Sequence, residues 1–149
     1  MYRRRRGPVS RAGFTLIELI VVLVILGLLA SLVLPKYAQR QREARKSATV
    51  AQIGLIKDAL ELYMQDNQTY PSTAQSLEAL VTEPTTEPKP RKWMGYLEQL
   101  PKDGWGNEFV YQSPGDEGRG YDITSLGADG QEGGEGLDAD IYSWDLPRE

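Results

Sequence analysis

Apolar residues are distributed along this chain in two different ways. From Phe14 to Leu34 they are nearly continuous, FTLIELIVVLVILGLLASLVL, 21 residues with a single charge at Glu18. A helix of that length spans about 31 Å at 1.5 Å per residue. A bilayer's hydrocarbon core is about 30 Å thick, so the pattern predicts a membrane helix. A secretory signal peptide is the alternative reading. The run is longer than the usual apolar region of about 7–15 residues, and the SLVLPKYAQ stretch at its end offers only a weak small-residue cleavage site. Pro35 follows at once, and its ring clashes with the Ser31 carbonyl, which predicts a kink or local unwinding. Gly27 weakens the same helix.

Beyond Pro35 the pattern becomes amphipathic. Ile53, Ile56, Leu60 and Tyr63 recur at three- and four-residue steps, flanked by Ala48, Ala59 and Leu62. That period makes a core-facing stripe, with Lys46, Lys57, Glu61 and Asp66 off it. The helix should stop near Asp66–Asn67, ahead of Tyr70–Pro71. Ser72 to Gln75 matches a capping box and predicts a short helix over 73–82. Pro84, Pro88 and Pro90 make a loop, after which Trp93, Tyr96 and Trp105 read as core and loop anchors. Residues 108–112 and 121–125 read as strands joined by the turn-rich SPGDEGRG, with a third strand near 141–143. The architecture is α+β, a long N-terminal helix packed on a small antiparallel sheet.

Composition removes most catalytic chemistry. The 149 residues include no cysteine and no histidine. A disulfide framework, a thiol nucleophile, a Ser–His–Asp triad and thiolate or imidazole metal sites are all excluded. The net charge of −4 conceals an asymmetry: Arg3, Arg4, Arg5, Arg6 and Arg11 lie ahead of the apolar run, and the remainder carries 12 basic against 21 acidic residues. Phosphate neutralisation needs a basic face, so no nucleic-acid partner is expected for the body of the chain. Topology is nearly tied by charge, because Lys36, Arg40, Arg42, Arg45 and Lys46 follow the apolar run closely.

Two features carry chemistry. Glu18 is a carboxylate inside an apolar helix, tolerable near the helix start by snorkelling, or else functional. The second lies between Gly127 and Asp140, where Asp129, Glu132, Glu135, Asp138 and Asp140 alternate with five glycines. A solvated acidic loop is one reading. A calcium site is the other, since hard cations take carboxylate and carbonyl oxygens and glycine lets the chain fold tightly around them. The EF-hand spacing is absent.

Gly13-Phe14-Thr15-Leu16-Ile17-Glu18, behind a short basic leader, resembles the signal of type IV pilins and pseudopilins. The stretches at 66–84, 95–111 and 124–146 are similar to the major pseudopilins of type II secretion systems. This resemblance implies cleavage by a prepilin peptidase between Gly13 and Phe14, N-methylation of Phe14, and an assembly role for Glu18 opposite the new amine, within one chain or between neighbours. It divides the chain into a cytosolic leader, 1–13, removed on maturation, a transmembrane and assembly helix, 14–35, and a periplasmic pilin-like domain, 36–149. It implies calcium held by the carboxylates of Asp129, Asp138 and Asp140 with the Leu126 carbonyl, and a further carbonyl near Leu137. Glu132 and Glu135 are expected to be solvated.

The implied protein is not an enzyme. It is a structural subunit of a Gram-negative inner membrane that polymerises with itself into a periplasmic pseudopilus, helping to export folded proteins across the outer membrane. Minor pseudopilins, inner-membrane assembly proteins of the secretion system and the prepilin peptidase are its implied partners. A type IV pilin of an adhesion, motility or DNA-uptake fibre is the alternative, though the missing cysteines suit it less. A membrane-anchored periplasmic enzyme using Asp138 and Asp140 as paired carboxylates is a remoter one.

Overall fold

The structure, a computed structural model, describes residues 13–146, with the backbone alone for 32–36 and 38. Most of the expected leader therefore lies outside the described residues. Helix α1 spans Leu16–Asn67, 52 residues. At its start the Glu18 amide donates to Thr15 Oγ1 at 3.3 Å and the Leu19 amide to the Thr15 carbonyl at 3.2 Å. Thr15 thus caps the helix, and Glu18 stands at the third helical position. The helix continues through Pro35, so of the expected kink or local unwinding the unwinding does not occur. Proline lacks an N–H donor, so one bond of the helical ladder is missing there. At the far end Gln68 takes φ 64° and donates its amide to the Met64 carbonyl, a left-handed C-cap.

The chain divides at Gln39 into two compact units. In the first, the apolar side chains from Phe14 to Leu29 are exposed on every side of the helix. Among the described residues no helix is long and apolar enough to cross a membrane.

The second unit holds the core. Ile53, Ile56, Leu60 and Tyr63 are buried on α1, as the period predicts. Two flanking expectations fail: Ala48 is exposed, and so is Leu62 at 52%. Thr49 is buried in place of Ala48, because its hydroxyl donates to the Arg45 carbonyl at 3.0 Å and accepts the Gly104 amide at 2.9 Å. Gly104 packs so closely on the Arg45 carbonyl that a Cβ there would clash with it.

Leu77, Ala79 and Leu80 close the core from a 3-10 helix, Leu77–Leu80, which is shorter than the α-helix expected over 73–82. The capping box does form. The Ser72 amide donates to Gln75 Oε1 at 3.0 Å and the Gln75 amide to Ser72 Oγ at 3.3 Å. Yet Ser76 sits at φ 53°, outside the helical region, so the turn ends before an α-helix can propagate. Trp93 and Tyr96 anchor the following loop as expected, the indole donating to the Ala79 carbonyl and the Tyr96 amide to that of Leu80.

Three short strands form an antiparallel meander: β1 Val110–Gln112, β2 Asp122–Ser125 and β3 Ile141–Tyr142. The first two start later than expected. Tyr111 pairs with Ile123, and Ser125 with Ile141, which places these four side chains on the buried face.

Candidate functional site

The structure places the expected site residues in two separate regions. In the first, Phe14 is 89% exposed ahead of the helix, and Glu18 lies in the first turn. A carboxylate there also faces the positive end of the helix dipole. Thr15 as its capping partner was missed from sequence, although the T-x-x-E spacing was available.

The second region is the acidic glycine loop. Gly127 and Gly134 both have positive φ, and a Cβ on either would strike the Asp138 carbonyl. The loop therefore folds back on itself where only glycine fits. The Leu126 carbonyl accepts the Gly130 amide at 3.2 Å, and the Leu137 carbonyl accepts that of Ala128 at 3.1 Å. Asp129 is exposed and its Oδ1 accepts the Gln131 amide at 3.1 Å. Asp138 is half-buried, its amide donating to the Glu135 carbonyl at 3.2 Å. Glu132 and Glu135 are exposed, as expected. Among the described residues no three acidic side chains converge closely enough to hold a metal ion, so Asp129, Asp138 and Asp140 are not gathered into one cluster. Like charges with no counter-ion resist such gathering.

Asp140 stands apart from the other acids. Its Oδ2 accepts the Gly133 amide at 3.0 Å and the Tyr142 hydroxyl at 2.9 Å. That hydrogen bond, ahead of burial and neighbouring carboxylates, raises the Tyr142 pKa. The other oxygen, Oδ1, is buried and has no partner. A buried polar atom left unsatisfied costs about 1–3 kcal/mol. A carboxylate oxygen with no donor on it is the kind of ligand atom that hard cations take.

A brace that sequence reasoning missed supports the loop from below. Asp103 is buried. Its Oδ1 accepts the amides of Trp105 and Asn107 at 2.9 and 2.8 Å, and its Oδ2 accepts the Ser125 hydroxyl at 2.7 Å. Asn107 in turn donates to the Gly127 carbonyl at 2.8 Å. A second lock closes the sheet's outer face. Arg119 grips Asp122 through Nε at 2.6 Å and Nη2 at 3.1 Å, and holds the Asp122 carboxyl below its usual pKa. The same guanidinium lies 4.3 Å from the centre of the Trp144 ring.

A helix entered through Gly-Phe-Thr-Leu-Ile-Glu, sharing its core with a small antiparallel meander, defines a pilin-like subunit. Comparison with known proteins narrows the class. A family model described as "Type II secretion system (T2SS), protein G" matches residues 36–144, and one described as "Prokaryotic N-terminal methylation motif" matches residues 9–34. The chain is 51% identical over 139 residues to a type II secretion system core protein G of Vibrio cholerae, covering 92% of this chain and 94% of that one. It is 51% identical over 138 residues to a Pseudomonas aeruginosa protein of the same description, covering 91% and 96%. A crystal structure of the major pseudopilin from the type 2 secretion system of enterohaemorrhagic Escherichia coli superposes with a TM-score of 0.62 at 34% identity, covering 76% of this chain and 95% of that one. The chain belongs to the protein G family of type II secretion systems. It is a structural, self-assembling subunit of the pseudopilus within that machinery and not an enzyme.

Proposed function

We propose that the chain is made as a precursor held in the inner membrane by residues 14–35, with residues 36–149 in the periplasm. Prepilin peptidase cuts between Gly13 and Phe14 and methylates the new amine. The mature subunit then leaves the bilayer to polymerise through the same helix, alongside minor pseudopilins and the inner-membrane assembly proteins. The observation that carries this reading is the unbroken exposure of large apolar side chains, from 46% at Ile20 to 89% at Phe14. So much apolar surface requires a cover, first lipid and then neighbouring helices. In a packed bundle the Phe14 amine neutralises Glu18, because a paired buried charge is tolerable where a lone one is not. Mass spectrometry of membrane-extracted protein tests the maturation: a chain starting at methylated Phe14 is expected, and a retained leader would overturn it. Crosslinking of Glu18→Ala in membranes tests the pairing. Insertion should persist while multimers fall, and wild-type multimer levels would make Glu18 a bystander.

The loop over 126–140 is proposed to bind calcium through Asp140, Asp129 and Asp138 with the Leu126 carbonyl. Asp140 Oδ1, buried without a partner, supports this reading. Calcium supplies charge neutralisation and a hub for the loop's oxygens, and so stabilises the periplasmic domain by mass action. Melting temperature should rise with calcium, rise less with magnesium, and lose the calcium response in Asp140→Ala but not in Glu132→Ala. Equal melting in calcium and chelator would leave the loop a solvated acidic turn.

A further inference from the structure

We infer that Tyr142 is a positioning residue for Asp140, fixing the rotation of its carboxylate so that one oxygen is fully engaged and the other stays bare. This rests on the calcium reading above only for what the bare oxygen is used for. The carboxylate offers about four lone-pair sites over its two oxygens. Two donors converge on Oδ2, the Tyr142 hydroxyl at 2.9 Å and the Gly133 amide at 3.0 Å, while Oδ1 is buried with none. A freely turning carboxylate would share its donors between both oxygens, so the arrangement needs a hydroxyl held still.

The phenol is planted from several sides. Tyr142 lies on β3 opposite Thr124 of β2. Its ring stacks on Trp144, centroids 4.7 Å apart at 25°. Arg119 sits over the Trp144 ring and is itself fixed by Asp122 and by Glu117 at 3.0 Å. The ladder from Asp122 through Arg119, Trp144 and Tyr142 to Asp140 therefore ties the β1–β2 turn to the acidic loop. Asp140, Tyr142 and Trp144 alternate along the chain, which is the spacing that puts side chains of an extended segment on one face. They line one recess of about 470 Å³ together with the acids Asp116, Asp122 and Glu132. Among the described residues no lysine or arginine lines this recess, and the nearby Arg119 is committed to Asp122 and Glu117, so no side-chain cation is provided for the bare oxygen.

The test uses the full chain in detergent micelles and Tyr142→Phe, which keeps the ring and its stack and removes only the hydroxyl. Titration calorimetry with calcium chloride should show affinity about tenfold weaker, the usual cost of losing a partner behind a metal ligand. In chelator, melting should be unchanged and hydrogen exchange at the Gly133 amide several-fold faster. Trp144→Leu, which removes the stack, should weaken calcium in the same direction. Wild-type affinity in Tyr142→Phe would overturn the proposal. If the wild-type chain takes up no calcium, the calcium reading falls by itself and Gly133 exchange in chelator decides: faster exchange sustains Tyr142 as the group orienting Asp140, and unchanged exchange overturns it.

Discussion

The two halves of helix α1 share one secondary structure and differ in what surrounds it. From Leu16 to Leu29 the large apolar residues lie all round the helix and stay exposed. From Thr49 to Asn67 one stripe is buried and the remaining faces are polar or half-exposed. A stripe can be covered by the rest of the same chain. A helix that is apolar all round has no such solution in a chain of this size, and must be covered by lipid or by other copies. The periodicity of the hydrophobic pattern thus separates the half whose apolar face is buried within the chain from the half whose apolar surface stays exposed.

The largest effect should come from breaking that division directly. Leu60→Ala empties a fully buried site and should destabilise the second unit by about 2–5 kcal/mol, read as a lower urea midpoint of the detergent-solubilised chain. Leu23→Ala should leave that midpoint unchanged while reducing crosslinked multimers. An equal loss of midpoint in both variants would break the comparison.

Alkaline titration sharpens it. Burial is the main cause that raises Tyr70, Tyr96 and Tyr111 to about 12, against an unfolded value near 10. The folded state holds these protons more tightly, so their stabilisation is complete below about pH 10 and is lost as pH rises toward 12. The second unit should unfold across that window. The stretch from Phe14 to Ser31 contains no tyrosine and should keep its helicity in detergent.

A smaller effect is expected from Asn107→Ala, which removes the bond to the Gly127 carbonyl. About 0.5–1.5 kcal/mol should be lost, with faster amide exchange in the acidic loop and no change at the Ile53–Tyr63 stripe. The smallest should be the acid response of Asp122. Arg119 lowers its folded pKa below the unfolded value of about 3.9, so this contribution is present above that value and lost as pH falls through the folded one. Asp122→Asn should flatten the decline in melting temperature below pH 4, and salt should weaken the wild-type contribution because Arg119 remains partly exposed.

The parts legible in sequence were those with a local period or a local motif. Ile53, Ile56, Leu60 and Tyr63 declared their face, and Ser72 with Gln75 declared a cap. The period could not separate Ala48 from Thr49 at the stripe's edge, since a hydrogen bond to Gly104, 55 positions away, decided which was buried. Nor could the capping box reveal that Ser76 leaves helical space and stops propagation. Asp103 and Asn107 act through backbone groups or a distant hydroxyl, and such bonds leave no periodic trace. The acidic loop was legible as composition. Which of its carboxylates would be buried and bare was not.

The Thr49–Gly104 contact also has a mechanical meaning. Glycine against the Arg45 carbonyl leaves no clearance, and the hydroxyl of Thr49 engages the same turn that Asp103 fastens to β2. This is a keyed joint rather than a greased one: this stretch of helix cannot slide by a turn past the sheet without breaking the Gly104–Thr49 hydrogen bond and driving Gly104 into the Arg45 carbonyl. Within the second unit, a push on the Arg45–Thr49 turn of α1 is therefore carried to β2 through Gly104, Asp103 and Ser125.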